Sequence, residues 1–100
     1  MSLSNRTFEW DERKNEINQK KHRISFETAK LVFDDPHCLF VPDRIEAGEE
    51  RWHAMGMILN TAVVLTVVHT QREAGRAEVT RIISARRATK LEQKNYAESL

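Results

Sequence analysis

Glu78 to Tyr96 reads EVTRIISARRATKLEQKNY, and its period changes part-way along. Val79, Thr80, Ile82 and Ile83 are β-branched, and strand alternation sends odd and even positions to opposite faces. Val79, Ile83 and Ala85 then share a face with Arg81, while Thr80, Ile82 and Ser84 share the other with Arg86. After Ala88 the spacing becomes helical, with Leu91, Lys94, Asn95 and Glu98 three and four residues apart. The expectation is a half-buried strand with arginines on both faces, running into a basic helix. From Arg81 to Lys94 there are five Lys/Arg against one acid, Glu92. An arginine on an apolar strand is costly unless an acid or a phosphate partners it. Taken singly, each arginine is explained by a solvated strand end or an ion pair. Taken together they point to an anionic ligand.

Upstream, a loop at Gln71–Gly75 leads back to Ala62–Thr70 (AVVLTVVHT), apolar on both faces as a central strand should be. Leu59-Asn60-Thr61 offers a tight hairpin turn to Arg51–Ile58, which alternates weakly. Three strands in hairpin order predict an antiparallel meander. Before them come a short strand, His37–Val41, closed by a turn at Pro42-Asp43, and an acidic loop, Asp43–Glu50. Ser25 caps a helix from Phe26 to about Asp34 whose stripe of Phe26, Ala29, Val32 and Phe33 is core; Asp34-Asp35-Pro36 stops it. Asp11 caps an earlier helix through about Lys21, and Thr7–Trp10 reads as a short N-terminal strand. The class is α+β: a short strand, two helices, an antiparallel meander and a C-terminal helix.

The first helix is oddly polar. The face that should look inward carries Lys14, Ile17, Asn18 and Lys21. Long lysine stems can cover apolar surface while their heads reach water; alternatively this face looks into a cleft.

One hundred residues predict one domain spanning 1–100, able to bury a core. A charged fraction of 31% with 7% aromatics suits a globular protein rather than a disordered one. No apolar run is long enough to span a membrane. No basic-then-apolar leader is present, so no secretory signal is expected, and Met1–Ser4 reads as partly a vector-derived flank. The single cysteine, Cys38, excludes an internal disulfide and fits a reducing compartment, so a cytoplasmic location is expected. The net charge of +1 hides an asymmetry: residues 1–50 carry −3 and residues 51–100 carry +4. Six acids fall in Asp34–Glu50 against the single Arg44. Such a dipolar chain suits a polyanion on one side, or pairing between its own halves.

Four histidines, His22, His37, His53 and His69, are too scattered for a metal-ligand motif, and no phosphate-binding or nucleotide-binding glycine motif is present, so neither metal nor cofactor is expected. What remains is a set of cations with hydroxyls: Lys21, His22, Arg51, His69, Thr70, Arg81, Ser84 and Arg86. That set suits phosphate chemistry. RNA cleavage requires deprotonating a 2′-OH, stabilising a crowded phosphorane and protonating the 5′ leaving oxygen. Arginine forks meet the phosphorane charge, and a histidine or lysine moves the proton. A non-catalytic module that binds nucleic acid or a partner protein would carry the same cations.

Across nearly its whole length the chain resembles BrnT-type toxins, bacterial toxin–antitoxin ribonucleases similar in fold to RelE-type toxins. The resemblance rests on Phe8-Glu9-Trp10-Asp11, Lys14, Asn18, Lys21-His22, Ile24-Ser25-Phe26-Glu27, Val32-Phe33-Asp34-Asp35-Pro36 and Gly48-Glu49-Glu50-Arg51. It continues through His69-Thr70 and Arg81 to Thr89, then Glu92 and Tyr96. Arg23 departs from it, standing where the family often has glycine. The resemblance implies a RelE-like α+β toxin that cleaves RNA without metal and inhibits translation. It also implies a BrnA-like ribbon-helix-helix antitoxin, through which the complex binds operator DNA. Carried onto this sequence, Lys21, His22, Arg51, Arg81 and Arg86 form the expected catalytic cleft, with His69 and Thr70 as second choices. Lys14, Arg87 and Lys90 are the expected RNA contacts. The acidic Asp34–Glu50 segment is expected to lie away from RNA.

Overall fold

A computed structural model describes residues 5–100; Met1–Ser4, read above as partly a vector-derived flank, lies outside the described residues. The order is β1 (Asn5–Glu9), α1 (Glu12–His22), α2 (Phe26–Ala29), a 3-10 helix (Lys30–Asp34), β2 (Leu39–Glu46), β3 (Glu49–Met57), β4 (Val64–Ala74), β5 (Ala77–Arg87) and α3 (Lys90–Glu98). One five-stranded sheet runs β1-β5-β4-β3-β2, with β2 to β5 an antiparallel meander and β1 parallel to β5. The α+β class and the order of elements are as expected from sequence.

The main core lies on one face of the sheet. Ala54, Leu65, Val67, Ile82 and Ala85 meet Ile24, Phe26, Ala29 and Val32 from the loop after α1, α2 and the 3-10 helix. Burying a side chain of this size contributes about 1.5–3 kcal/mol. Gly56 lets the 3-10 helix approach β3: a Cβ there would stand 2.8 Å from the Val32 carbonyl oxygen. Only a hydrogen fits.

The expected acidic loop is instead a hairpin. β2 continues through Pro42 and Asp43 to Glu46, with its register slipping between Pro42 and Ile45. Proline signals a turn in a central strand, but β2 is an edge strand and has room for a residue without an N–H. The reversal comes at Ala47-Gly48, both at positive φ, 51° and 80°, as a type I′ hairpin requires. Likewise β4 runs on through the expected Gln71–Gly75 loop to Ala74, and Gly75 begins the turn at φ 64°.

Arg23 is the C-cap of α1 at φ 61°, ψ 28°, the left-handed conformation in which glycine is most at ease. Its arginine therefore carries a strain that a glycine would not.

The largest departure is in β5. Val68 lies opposite Ser84 while His69 lies opposite Ile82, so Ile83 is an extra, bulged residue. The bulge reverses the phase of the strand. Arg81 and Arg86, expected on opposite faces, end on the same one.

Candidate active site

Cross-strand register decides which of the expected residues meet, because directly opposed side chains share a face. Thr70 lies opposite Arg81; His53, Val68 and Ser84 make the next row; Met55, Thr66 and Arg86 make a third. All stand on the face turned away from Ala54 and Val67. Arg51, two residues before His53 on β3, extends the Thr70–Arg81 row. Strand neighbours lie about 4.8 Å apart, so Arg51 and Arg81 are separated by about 10 Å across Thr70. Two guanidinium arms can close that gap on one phosphate.

The guanidinium of Arg51 donates from Nη1 to Glu46 Oε2 at 2.7 Å, while its Nε is buried without a hydrogen-bond partner. A buried unpaired donor costs about 1–3 kcal/mol, so this arginine is held in place at some expense to stability. Arg81 is exposed and has no ion-pair partner among the described residues. It lines an open cavity of about 430 Å³ with Glu9, Trp10 and Asp11. Glu9 is already engaged: Arg72 binds it through both terminal nitrogens, at 2.8 and 3.2 Å, and holds its carboxyl below the usual range.

A second group forms where α1 meets the edge of β5. Lys14, Ile17, Asn18, Lys21 and His22 face Ile83, Ser84 and Arg86 across a cleft of about 400 Å³. The helix is fixed there by amides. Beyond Arg81 the edge of β5 has no β1 partner, and Asn18 takes the place of one. Its Oδ1 accepts from the Ala85 N–H at 3.1 Å and its Nδ2 donates to the Ala85 carbonyl at 2.9 Å and to the Ile24 carbonyl at 2.8 Å. Asn15 Oδ1 accepts from the Phe26 N–H at 2.8 Å. With its buried positions polar, α1 leaves Lys14, Ile17 and Lys21 exposed.

Arg86 joins the two groups but is not free. Its Nη1 and Nη2 donate to Glu92 at 2.7 and 3.0 Å. Glu92 also accepts from the Thr66 hydroxyl and from the Thr89 N–H in a capping box, so this pair docks α3 onto the sheet. The Arg86 hydrogen bonds, with those of Thr89 and Thr66, outweigh burial and bring the Glu92 carboxyl down to about 2.

Other expected residues stand elsewhere. His69 is in the core face, edge-on to Phe33 at 5.0 Å and Phe40 at 6.0 Å; burial, with Arg6 and His53 nearby, pushes it down to about 4. It is a neutral core histidine, 1% exposed, that no substrate reaches. Thr70 is on the opposite side of β4, beside Arg81, but is also buried, at 6% exposure. Arg87 leaves the open face and lines an apolar pocket of about 310 Å³ with Ile24, Val63 and Leu65, its wall shared with His22. Lys90 is exposed in the first turn of α3, outside these cavities. Burial, then Asp35, pushes the Cys38 thiol up to about 12 and so disfavours its thiolate.

Sequence reasoning missed His53 and Asp43. His53 is half-buried on the open face, with Nε2 3.5 Å from Asp43 Oδ2. The two-residue step from Arg51 was the available signal; reading Asp43–Glu50 as a loop hid the partner. Asp43 and Glu46 do not lie apart from the cationic face but at its rim. Among the described residues, no three His, Cys, Asp or Glu side chains gather as a metal site.

Residues 10–92 match the family described as the ribonuclease toxin, BrnT, of type II toxin–antitoxin systems. The chain belongs to the BrnT family. No curated protein matches it. The matched span takes in both cationic groups and ends on Glu92, the anchor of α3. BrnT proteins are ribonuclease toxins of type II systems, so the substrate is RNA and an antitoxin is the partner. No helix among the described residues is long and apolar enough to cross a membrane.

Proposed function

We propose that this BrnT toxin cleaves RNA without a metal ion, on the open sheet face between Arg51 and Arg81, and thereby inhibits translation in the cytoplasm. The observation that carries this reading is the row Arg51–Thr70–Arg81, continued by Ser84 into the lysine-lined cleft. The two guanidinium groups meet the charge that develops on the phosphorane, with the buried Thr70 between their strands. Lys14 and Lys21 follow the flanking RNA backbone, and His22 or Lys21 delivers a proton to the leaving 5′ oxygen. Arg86 contributes chiefly by holding α3, because Glu92 occupies its fork. The remaining pieces follow the RelE-like reading: a BrnA-like ribbon-helix-helix antitoxin covers this face, and the complex binds its operator DNA.

The test is cleavage of a mixed RNA by purified protein in chelator, alone and with translating ribosomes, beside Arg81→Ala and His22→Ala variants shown to fold. Cleavage should survive chelation and fall about 100- to 1000-fold in Arg81→Ala, the usual loss for one donor to a developing oxyanion. No cleavage under either condition, with salt-dependent RNA binding retained, would leave a non-catalytic binding module.

A further inference from the structure

RNA cleavage also needs a group that takes the 2′-OH proton, and the two arginines cannot do so. We infer that His53 is that base and that Asp43 positions it; the inference rests on the nuclease reading above. His53 shares its row with Val68 and Ser84, one row from Thr70 and Arg81 and two residues from Arg51. It therefore borders the place where the arginines hold a phosphate. Its Nε2 is 3.5 Å from Asp43 Oδ2, which leaves Nδ1 turned to other partners. The side chains are 23% and 27% exposed, enough for substrate to reach and little enough to keep their orientation.

The arrangement has two sides. His53 stands on β3, and the Lys21–His22 end of α1 stands beyond β5, with Val68 and Ser84 between them. A displacement at phosphorus needs its proton acceptor and its proton donor on opposite sides of the phosphate. In the step, Nδ1 of His53 takes the 2′-OH proton and the 2′-oxygen bonds to phosphorus. The bond from phosphorus to the 5′-oxygen then breaks, and its electron pair leaves on that oxygen, which takes a proton from Lys21 or His22. The products are a 2′,3′-cyclic phosphate and a 5′-hydroxyl. Asp43, 3.5 Å from Nε2, orients the ring.

The charged and titratable groups around His53 are Asp43 on β2, Arg51 on β3, Arg81 on β5 and, from the other side of the sheet, His69 on β4; Glu46 binds Arg51, and the Arg86–Glu92 pair lies one row below. A pH–rate profile must therefore be compared between variants and not read from the wild type alone.

The experiment is single-turnover cleavage of a short RNA, free and on translating ribosomes, by wild type, His53→Gln, Asp43→Asn and Asp43→Glu, each checked for a cooperative thermal melt. His53→Gln should lose about 100- to 10,000-fold in rate, the range for removing a general base. Its binding of 2′-O-methyl RNA should stay within about threefold. The acid limb of the wild-type profile should vanish with it. Asp43→Asn should lose less, and Asp43→Glu should recover most of the rate. If His53→Gln cleaves within about threefold of wild type, the base is elsewhere while the nuclease reading stands. If wild type cleaves nothing under either condition, both fall. If binding and cleavage decline in parallel, His53 is an RNA contact and not the base.

Discussion

Glu92 answers to three donors that come from three different elements: Arg86 of β5, the Thr66 hydroxyl of β4 and the N–H that starts α3. Its carboxyl is brought down to about 2 from an ordinary 4.5, first by the Arg86 hydrogen bonds. A carboxyl depressed in the folded state contributes stability that is fully present above its unfolded value and lost as pH falls through the folded one. The window therefore runs from about pH 5 down to about pH 2. A shift of this size corresponds to roughly 3 kcal/mol. Glu92→Gln should lower the melting temperature at pH 7 and should flatten its decline across that window. Equal acid slopes in the variant and the wild type would remove Glu92 from the ledger. Asp35 works the same way at the other end of α3. Burial raises its pKa, but the N–H groups of Met57 and His37 and the Tyr96 hydroxyl outweigh that and leave it below the usual range. The Tyr96 hydroxyl is pushed up to about 12, by burial and by Asp35. In sequence, Asp34-Asp35-Pro36 reads only as a helix stop, because nothing local shows that Tyr96 comes back to it.

At the level of elements, each helix and strand was legible where its pattern is local and was lost where it depends on a distant partner. Capping residues Asp11, Ser25 and Thr89 all cap as their types predict. The bulge at Ile83 was not legible, since one extra residue leaves no mark in composition and shows only against the β4 register. Nor was the edge-strand position of β2, which turns Pro42 from a breaker into a tolerated residue. The polar helix α1 was legible as an anomaly but not as a solution: it docks through backbone hydrogen bonds and not through a stripe. Asn18 closes the free edge of β5, so replacing it with an apolar residue of equal size strands three buried backbone groups. Each stranded group costs about 1–3 kcal/mol, so Asn18→Leu should destabilise by about 3 kcal/mol or more in urea unfolding. Ile17→Ala, one residue away and 55% exposed, should change stability by less than about 0.5 kcal/mol. Should the two variants cost the same, α1 is held by its apolar contacts after all.

For the molecule as a whole, part of the charge asymmetry is taken up by pairing between its halves. The halves do pair across the sheet, through Glu9 with Arg72 and Glu46 with Arg51. Among the described cations that make no ion pair, Arg81 stands on the open face and Lys14 and Lys21 on the rim of α1. Elsewhere, Lys30 binds Glu27 at 3.0 Å, and Lys20 lines a separate cavity with Glu16 and Gln19. A net charge of +1 therefore gives no measure of affinity for a polyanion. What counts is how many phosphates this one face neutralises, and that number is read from salt dependence. Each phosphate contact to a single strand contributes a slope of about −0.7 to log K against log salt. Binding of 2′-O-methyl RNA, which lacks the nucleophile, isolates this term from cleavage. Lys14→Ala, Lys21→Ala and Arg81→Ala should each flatten the slope by about 0.7, whereas Lys20→Ala and Lys30→Ala should leave it unchanged. Equal flattening in all five would mean that RNA meets the protein through its overall field, and that the open face of the sheet is not where the strand lies.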